Sequence, residues 1–435
     1  MIKKILVANR GEIAVRIIKT CKELNIETVA IYSKCDKDSY HVFLADEAYC
    51  VGDNEPSNSY LNADSIIQIA TNTSCNAIHP GYGFLSEDYT FAKKIIDNNL
   101  IFIGPSLKVM EKIYDKQKLK DILKGINVPL IDGCKLKDFF KLKDKQEYPV
   151  LIKQINGGGG RGINKISSPF ELEQTIKQLK KSLNKTFDID NYYVEKYIDV
   201  YRHIEIQTIA DKYGNISILP ERDCSIQRNF QKFIEETPSS INNKKLLDKI
   251  KNEALKIFQF LKYDNVGTVE FLVDSNYNYY FLEINARIQV EHTITEIVSD
   301  VDMVEEQINI SNGKKNEKET FILPNYYALE CRINAEDSNN NFISSTGKID
   351  ILNVPCGRNI RVDSYIYQGY SLKPYYDSLL MKVITYDKIR DRAINKMQTC
   401  LDEIIISGIK TNIDFNYEIL SEKDFKKGNY KFKKY

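Results

Sequence analysis

The stretch Glu283-Ile-Asn-Ala-Arg-Ile-Gln-Val-Glu291 alternates polar and apolar residues without a break. Side chains of an extended chain point to opposite faces in turn, so this spacing predicts a strand over 283–291 with one buried face. The polar face is composed of Glu283, Asn285, Arg287, Gln289 and Glu291, with no lysine or serine between them. As pattern alone this describes a strand with a solvated face. Its content also suits a site that handles a cation and an anion together, and the rest of the chain has to decide between the two.

The residues just upstream supply a partner. Gly267–Val273 and Tyr279–Asn285 read as two strands around a turn at Asp274–Asn278, which places Glu270 opposite Glu283 with Thr268 and Asn285 on the same face. Val269, Phe271, Val273, Tyr280, Leu282 and Ile284 form the other, core-facing side. Like charges directly across a ladder repel unless a cation lies between them. Glu270, Glu283 and Asn285 are hard oxygen ligands suited to Mg²⁺ or Mn²⁺ shared with phosphate oxygens.

A phosphate-binding element is present in the same region. Pro149–Lys153 reads as a strand ending in lysine, followed by Asn156-Gly-Gly-Gly-Gly-Arg-Gly162. Gly157, Gly159 and Gly162 satisfy G-x-G-x-x-G formally, but Ile163–Ile166 reads as another strand rather than a helix, and no Gly-Lys-Ser/Thr follows. The expectation is a strand–glycine-loop–strand hairpin whose backbone N–H groups fold over phosphates. A merely flexible linker is the competing reading. Downstream, Tyr192–Tyr197 is a strand ending in an acid–base pair, and His203, Glu205 and Gln207 share one face of a strand from His203 to Ile209. Glu221–Arg228 with Gln231 and Lys232 read as a polar, charged connection, and Leu246–Leu261 as a helix.

The N-terminal stretch alternates strands (Lys4–Ala8, Thr28–Tyr32, Ala77–His79, Ile101–Ile103) with helices (Ile13–Leu24 and around Ile66–Ala70), which implies a parallel sheet with helices on both faces. The turn Asn9-Arg-Gly-Glu12 has one glycine, so a Rossmann-like shape is expected without a dinucleotide site. A helix over Lys116–Lys124 follows. After a lysine-rich linker at Asn312–Thr320, the remaining chain reads as a small α+β domain with a helix from Arg390 to Ile404, and its basic tail 426–435 as a solvated end.

Composition narrows the class. At 435 residues several domains are expected. A balance of 61 Lys+Arg against 60 Asp+Glu argues against a nucleic-acid partner. Nine cysteines without a C-x-x-C pair read as reduced thiols, and four histidines exclude a His-rich metal site. No apolar run reaches membrane-spanning length, and the chain enters a strand at once, so a cytoplasmic enzyme without a leader is expected.

Taken in order, Ile5-Leu-Val-Ala-Asn-Arg-Gly-Glu-Ile-Ala14, His79-Pro-Gly-Tyr-Gly-Phe-Leu-Ser-Glu87, the glycine loop, Glu221-Arg-Asp-Cys-Ser225, Arg287-Ile-Gln-Val-Glu-His292, Glu330-Cys-Arg-Ile-Asn-Ala-Glu-Asp337 and Gly408-Ile-Lys-Thr-Asn412 make the chain resemble the biotin carboxylase family of ATP-grasp enzymes. The resemblance implies an α/β and α+β multidomain fold. Its parts are a Rossmann-like domain over 1–114, an ATP-grasp domain over 115–320 with a glycine-rich lid at about 125–197, and a small α+β domain over 321–435.

It further implies that ATP is held by Lys116, Lys153, Gly157, Gly158, Gly159, Gly160, Glu195, Lys196, Ile198, His203, Gln227 and Leu272. Glu270 and Glu283 meet it through Mg²⁺ or Mn²⁺, with Asn285 as third ligand. Bicarbonate falls to Lys232, Arg287, Gln289, Val290 and Glu291, with Glu291 as general base, and biotin to Arg332, which stabilises its developing enolate; Arg287, Glu291, Lys232 and Arg332 are the implied catalytic residues. The implied reaction is the first half-reaction of acetyl-CoA carboxylase in fatty acid synthesis. The alternatives are a pyruvate or other acyl-CoA carboxylase, a different ATP-grasp ligase, or a non-catalytic ATP-binding subunit. Biotin would arrive on a separate carrier protein, with carboxyltransferase subunits and a homodimer as further partners.

The sequence departs from the family's usual residues at Asn156 (glycine), Phe230 (histidine), Ala286 (threonine), Thr293 (proline) and Tyr114 (glycine). Thr293 after Glu-His occurs in the pyruvate carboxylase branch.

Overall fold

A computed structural model of the chain describes residues 1–142, 147–154, 164–183, 188–229 and 231–434. The glycine loop with Asn156, Gly157, Gly158, Gly159 and Gly160, and also Ile163 and Phe230, lies outside the described residues.

Five parallel strands open the chain, in the order Glu47–Gly52, Glu27–Ser33, Lys4–Val7, Ala77–His79, Ile101–Phe102. Their apolar runs alternate between two cores. Ile5, Val7 and Ala30 pack with Ile13, Ile17 and Ile18 of the helix Gly11–Glu23, while Leu6, Val29 and Ile31 pack with Ile66, Phe91 and Ile95 of the helices Ala63–Asn72 and Tyr89–Asp97. Burial on both faces is what a parallel sheet between helical layers requires. The Rossmann-like expectation holds, and the strand at 47–52 adds an edge that the sequence reading does not identify.

The second unit is a ten-stranded sheet. Along its main path run Tyr279–Asn285, Asn265–Asp274, Val200–Ala210, Arg222–Arg228, Gln231–Thr237, Tyr327–Asn334, Leu379–Asp387 and Ile360–Ser364, each antiparallel to its neighbour. The helix Lys244–Leu261 covers it with Leu246, Ile250, Ile257 and Phe258 against Ile204, Ile206, Val269 and Phe271. Because Gln231–Thr237 pairs with Tyr327–Asn334, the sheet runs on from the central part of the chain into its last hundred residues.

A smaller four-stranded sheet, ordered Gly133–Lys135, Tyr192–Lys196, Val150–Gln154, Asn164–Ile166, carries the helices Leu136–Lys141 and Pro169–Leu183 over its own core. Val150 pairs with Ile166 and Ile152 with Asn164, so the glycine-rich segment joins two antiparallel strands as expected.

Three expectations need correction. The predicted strand over 283–291 ends at Asn285: the Ala286 N–H donates to Glu87 Oε1 at 3.0 Å instead of to a neighbouring strand, and a loop then leads to the helix His292–Ser299. The polar stretch after Glu221 is no connection but the buried strand pair Arg222–Arg228 and Gln231–Thr237, whose charged residues are matched inside the protein rather than by solvent. The basic tail is docked as well. Tyr430 is 5% exposed and stacks on Phe425, Arg202 lies over its ring, and Lys433–Lys434 pairs with Arg222–Arg228. Among the described residues, no helix is long and apolar enough to cross a membrane.

Candidate active site

Strand register builds the site. Arg222, Glu205, Glu270 and Glu283 stand side by side across four neighbouring strands, and Gln207, Thr268 and Asn285 form the adjacent row. The predicted opposition of Glu270 and Glu283 is therefore present. A row of three carboxylates is unfavourable unless cations interrupt it. Two buried ones do. The Arg222 guanidinium, 0% exposed, donates to Glu205 Oε2 at 3.2 and 3.3 Å, to Gln207 Oε1 at 2.8 Å and to Thr295 at 2.9 Å, and also reaches Gln289 Oε1. The Lys232 ammonium donates to Glu291 Oε1 at 2.5 Å, to Glu270 Oε1 at 3.3 Å and to Glu205.

Glu291 lies at the centre of this arrangement. Its second oxygen accepts from Arg332 Nη2 at 3.0 Å, while Arg332 Nε donates to Glu235 at 2.6 Å. Burial alone would push the Glu291 carboxyl up, yet Lys232, Arg332 and Arg222 together hold it well below the usual carboxylate range. Glu270 is likewise lowered: burial works against its charge, and Lys232 and His203 outweigh it. The opposite holds for Glu235, which burial raises to about 8 against the pull of Arg332, with Glu330 directly across the ladder adding to the rise.

The loop after Asn285 brings Arg287 and Gln289 to the same place. Arg287 Nε donates to Glu87 at 3.0 Å and its Nη2 to Asn285 Oδ1 at 2.8 Å, and Gln289 Nε2 donates to Glu270 Oε1 at 2.7 Å. Thr293, which follows the loop, gives its hydroxyl to Glu330. Lys232, Arg287, Gln289, Glu291 and Arg332 thus converge. Val290 lies between Gln289 and Glu291 in the loop, its side chain half-buried and its carbonyl accepting from Lys382 at 2.8 Å.

The residues expected to hold nucleotide fall mainly in two groups. His203 Nε2 donates to Glu270 Oε2 at 2.8 Å and accepts at Nδ1 from Gln227 Nε2 at 2.8 Å, with the half-buried Leu272 opposite His203 in the ladder. On the smaller sheet, Glu195 is buried between the ammonium groups of Lys153 and Lys120. Lys116 lies 3.2 Å from Glu283. Ile198 is half-buried just beyond the strand Tyr192–Lys196. The Lys196 side chain, 60% exposed, pairs with Glu147 at 3.5 Å rather than with either group.

The proposed metal ligands offer oxygen only. Asn285 gives its amide N–H to Glu270 at 2.8 Å, and among the described residues Glu283 has the exposed Lys116 as its charge partner. Two opposed carboxylates and an amide oxygen fit a hard divalent cation. Among the described residues, His203–Glu205–Glu270 and Glu205–Cys224–Glu291 bring possible metal-ligating atoms within 4.8 Å of one another; Lys232 contacts carboxylates of both.

Glu87, Lys120, Arg222 and Glu235 enter the site without any local signal in the sequence. Arg222 and Glu87 sit inside quoted motifs, but Glu87 lies 200 residues from Arg287, and no local pattern links them. Arg222 is testable directly. Arg222→Met leaves Glu205 buried without its guanidinium, and removing one partner of a buried pair costs about 3–5 kcal/mol. Denaturant titration should show that loss, and an unchanged midpoint would contradict the account.

Residues 1–110 match the family described as biotin carboxylase, N-terminal domain, residues 115–319 the ATP-binding domain of the carbamoyl-phosphate synthase L chain, and residues 330–433 the biotin carboxylase C-terminal domain. The chain belongs to the biotin carboxylase family. It is 44% identical to biotin carboxylase 1 of Bacillus subtilis, covering 100% of this chain and 98% of that one. It is 42% identical to a pyruvate carboxylase subunit of Methanothermobacter thermautotrophicus, over 98% of this chain and 88% of the relative. In structure it resembles the biotin carboxylase domain dimer of the Hydrogenobacter thermophilus 2-oxoglutarate carboxylase, solved with MgADP, ADP and bicarbonate. The TM-score is 0.94 at 42% identity, covering 99% of this chain and 96% of that one. The chain is thus an ATP-grasp ligase. The biotin carboxylase chemistry, ATP- and bicarbonate-dependent carboxylation of biotin by way of carboxyphosphate, is shared by several biotin-dependent carboxylases rather than by acetyl-CoA carboxylase alone.

Proposed function

We propose that this chain carboxylates biotin borne on a separate carrier protein, with the acyl acceptor chosen by carboxyltransferase subunits rather than by this chain. The observation that carries the reading is Glu291 held between Lys232 and Arg332, beside Arg287 and Gln289. The curated relatives carry names of pyruvate- and 2-oxoglutarate-type systems or of biotin carboxylase alone, so acetyl-CoA is one acceptor among several compatible with this site.

Each group has a role in this reading. Lys116, Lys153, Gly157 to Gly160, Glu195, Lys196, Ile198, His203, Gln227 and Leu272 bind ATP. Glu270, Glu283 and Asn285 would hold Mg²⁺ or Mn²⁺, which when bound neutralises phosphoryl charge. Lys232, Arg287, Gln289 and the Val290 backbone hold bicarbonate. An anion that takes a share of Lys232 loosens its grip on Glu291, which raises the basicity of that carboxylate as the proton must be taken. A bicarbonate oxygen then attacks the γ-phosphorus, ADP leaves, and carboxyphosphate forms. Breakage of its C–O bond gives CO₂ and phosphate, the phosphate takes the biotin N1′ proton, and the resulting nitrogen attacks CO₂ with Arg332 beside the enolate oxygen. Arginine's fixed fork of donors suits that planar anion.

The division into 1–114, 115–320 with a lid at about 125–197, and 321–435, a homodimer and a cytoplasmic location belong to the same proposal. Phosphate release measured with bicarbonate and biotin each omitted in turn tests it. The expected result is release that requires bicarbonate and rises with biotin. ATPase activity that needs an amino acid and ignores both would instead mark a different ATP-grasp ligase, and nucleotide binding without release a non-catalytic subunit.

A further inference from the structure

The loop Ala286–Glu291 lies between a strand end and a helix start, and side chains rather than a strand partner hold its backbone. The Gln289 carbonyl accepts from His292 Nδ1–H at 2.7 Å and from the His292 N–H at 3.3 Å. On the next peptide, the Val290 carbonyl accepts from the Lys382 ammonium at 2.8 Å. A peptide unit is planar and trans, so its C=O and N–H point in opposite directions. Holding the Gln289 oxygen aims the Val290 N–H away from His292, and holding the Val290 oxygen aims the Glu291 N–H away from Lys382. Among the described residues, neither N–H donates to a protein acceptor. Two consecutive N–H groups left free in this way form a concavity suited to an anion.

Lys382 is an expensive residue to keep there. It is 0% exposed and stands directly across the ladder from Arg332, a like charge. Its compensation comes from two carboxylates: Asp363 stands across the ladder on its other side, and Glu12, at the start of the first helix, lies 3.1 Å from the ammonium and also accepts from the Tyr82 hydroxyl. An apolar side chain at 382 would spare the desolvation of a buried ion pair. What it could not do is bond the Val290 carbonyl.

We infer that Lys382 is a positioning residue for the reaction: with His292 it sets the peptide planes of the Gln289–Glu291 loop, and so aims the loop's N–H groups at bicarbonate. This rests on the reading given under Proposed function. A merely structural ion pair between Lys382 and Glu12 would change stability and the fraction of folded enzyme, but no Michaelis constant.

The test is Lys382→Met, assayed for phosphate release over a range of bicarbonate and, separately, of ATP. We expect KM for bicarbonate to rise about tenfold or more, the effect of losing a residue that orients a ligand-holding group, with KM for ATP unchanged and Lys382→Arg restoring much of the loss. An unchanged KM for bicarbonate in folded Lys382→Met overturns the inference. If that variant does not fold, His292→Phe and His292→Asn take its place. Asparagine keeps a donor for the Gln289 carbonyl and should bind bicarbonate better than phenylalanine; equal constants overturn the inference. Wild-type enzyme that releases phosphate without bicarbonate would overturn the underlying functional reading instead, and the two failures are distinguished by that control.

Discussion

Glu291→Ala is expected to lower bicarbonate-dependent phosphate release by about 10²–10⁴-fold, the usual contribution of a positioned general base, while ATP still binds. The carboxylate is buried, ionised and held through both oxygens by Lys232 and Arg332. Neither of the two acids that share Lys232 with it is free to replace it. Glu270 is held by His203, Asn285, Gln289 and Lys232, and Glu205 is taken up by Arg222 and Lys232. The nucleotide residues on the smaller sheet, Lys153 and Glu195, make no contact with Glu291, so nucleotide affinity should stay near the wild-type value. Steady-state phosphate release and nucleotide binding by calorimetry decide the matter. Near-normal turnover in the alanine variant would remove Glu291 from the role of base.

Arg332→Ala should affect the two halves of the reaction unequally. Its guanidinium bridges Glu235 and Glu291 and sits beyond the carboxylate from Lys232, on the strand Tyr327–Asn334. Removing a donor aimed at a developing oxyanion costs about 10²–10³ in rate. That loss should fall on carboxybiotin formation, with ATP cleavage reduced less because Lys232 still pairs with Glu291. Parallel assays of carboxybiotin and phosphate give the ratio, and equal losses in both would show that Arg332 acts on the shared bicarbonate step.

The sequence is most legible where structure is local. The turn at Asp274 is set by its own carboxylate, which accepts from the N–H groups of Asn276 and Asn278 at 2.9 Å, so the hairpin and the opposition of Glu270 and Glu283 can be read directly. Alternation misleads one step further on. Residues 286–291 keep the period of a strand, but Glu87 captures the Ala286 N–H and the ladder stops. The stretch 221–232 reads as a polar, charged connection because charged residues are rarely buried unless paired. Arg222, Asp223 and Lys232 are paired, with Glu205, Arg202 and Glu291, and none of those partners can be located from local spacing. The tail at 426–435 escapes the sequence for the same reason: the groove that receives Tyr430 is made by Arg202 and Phe425, which only the fold brings together. Family motifs supply site residues that local patterns cannot, and even they are silent on how Glu235 and Lys382 support Glu291 and its loop.

If ATP activates bicarbonate at Glu291 by phosphorylating one of its oxygens, the oxygen can be followed. Bicarbonate labelled with ¹⁸O, supplied with ATP and biotin and quenched before it exchanges with water, tests this through the mass of the released phosphate. Attack by a bicarbonate oxygen followed by C–O cleavage leaves that oxygen on phosphorus, so each phosphate should carry one ¹⁸O. Phosphate that carries only oxygen from ATP and water would mean that ATP is hydrolysed without forming carboxyphosphate, and would contradict the account.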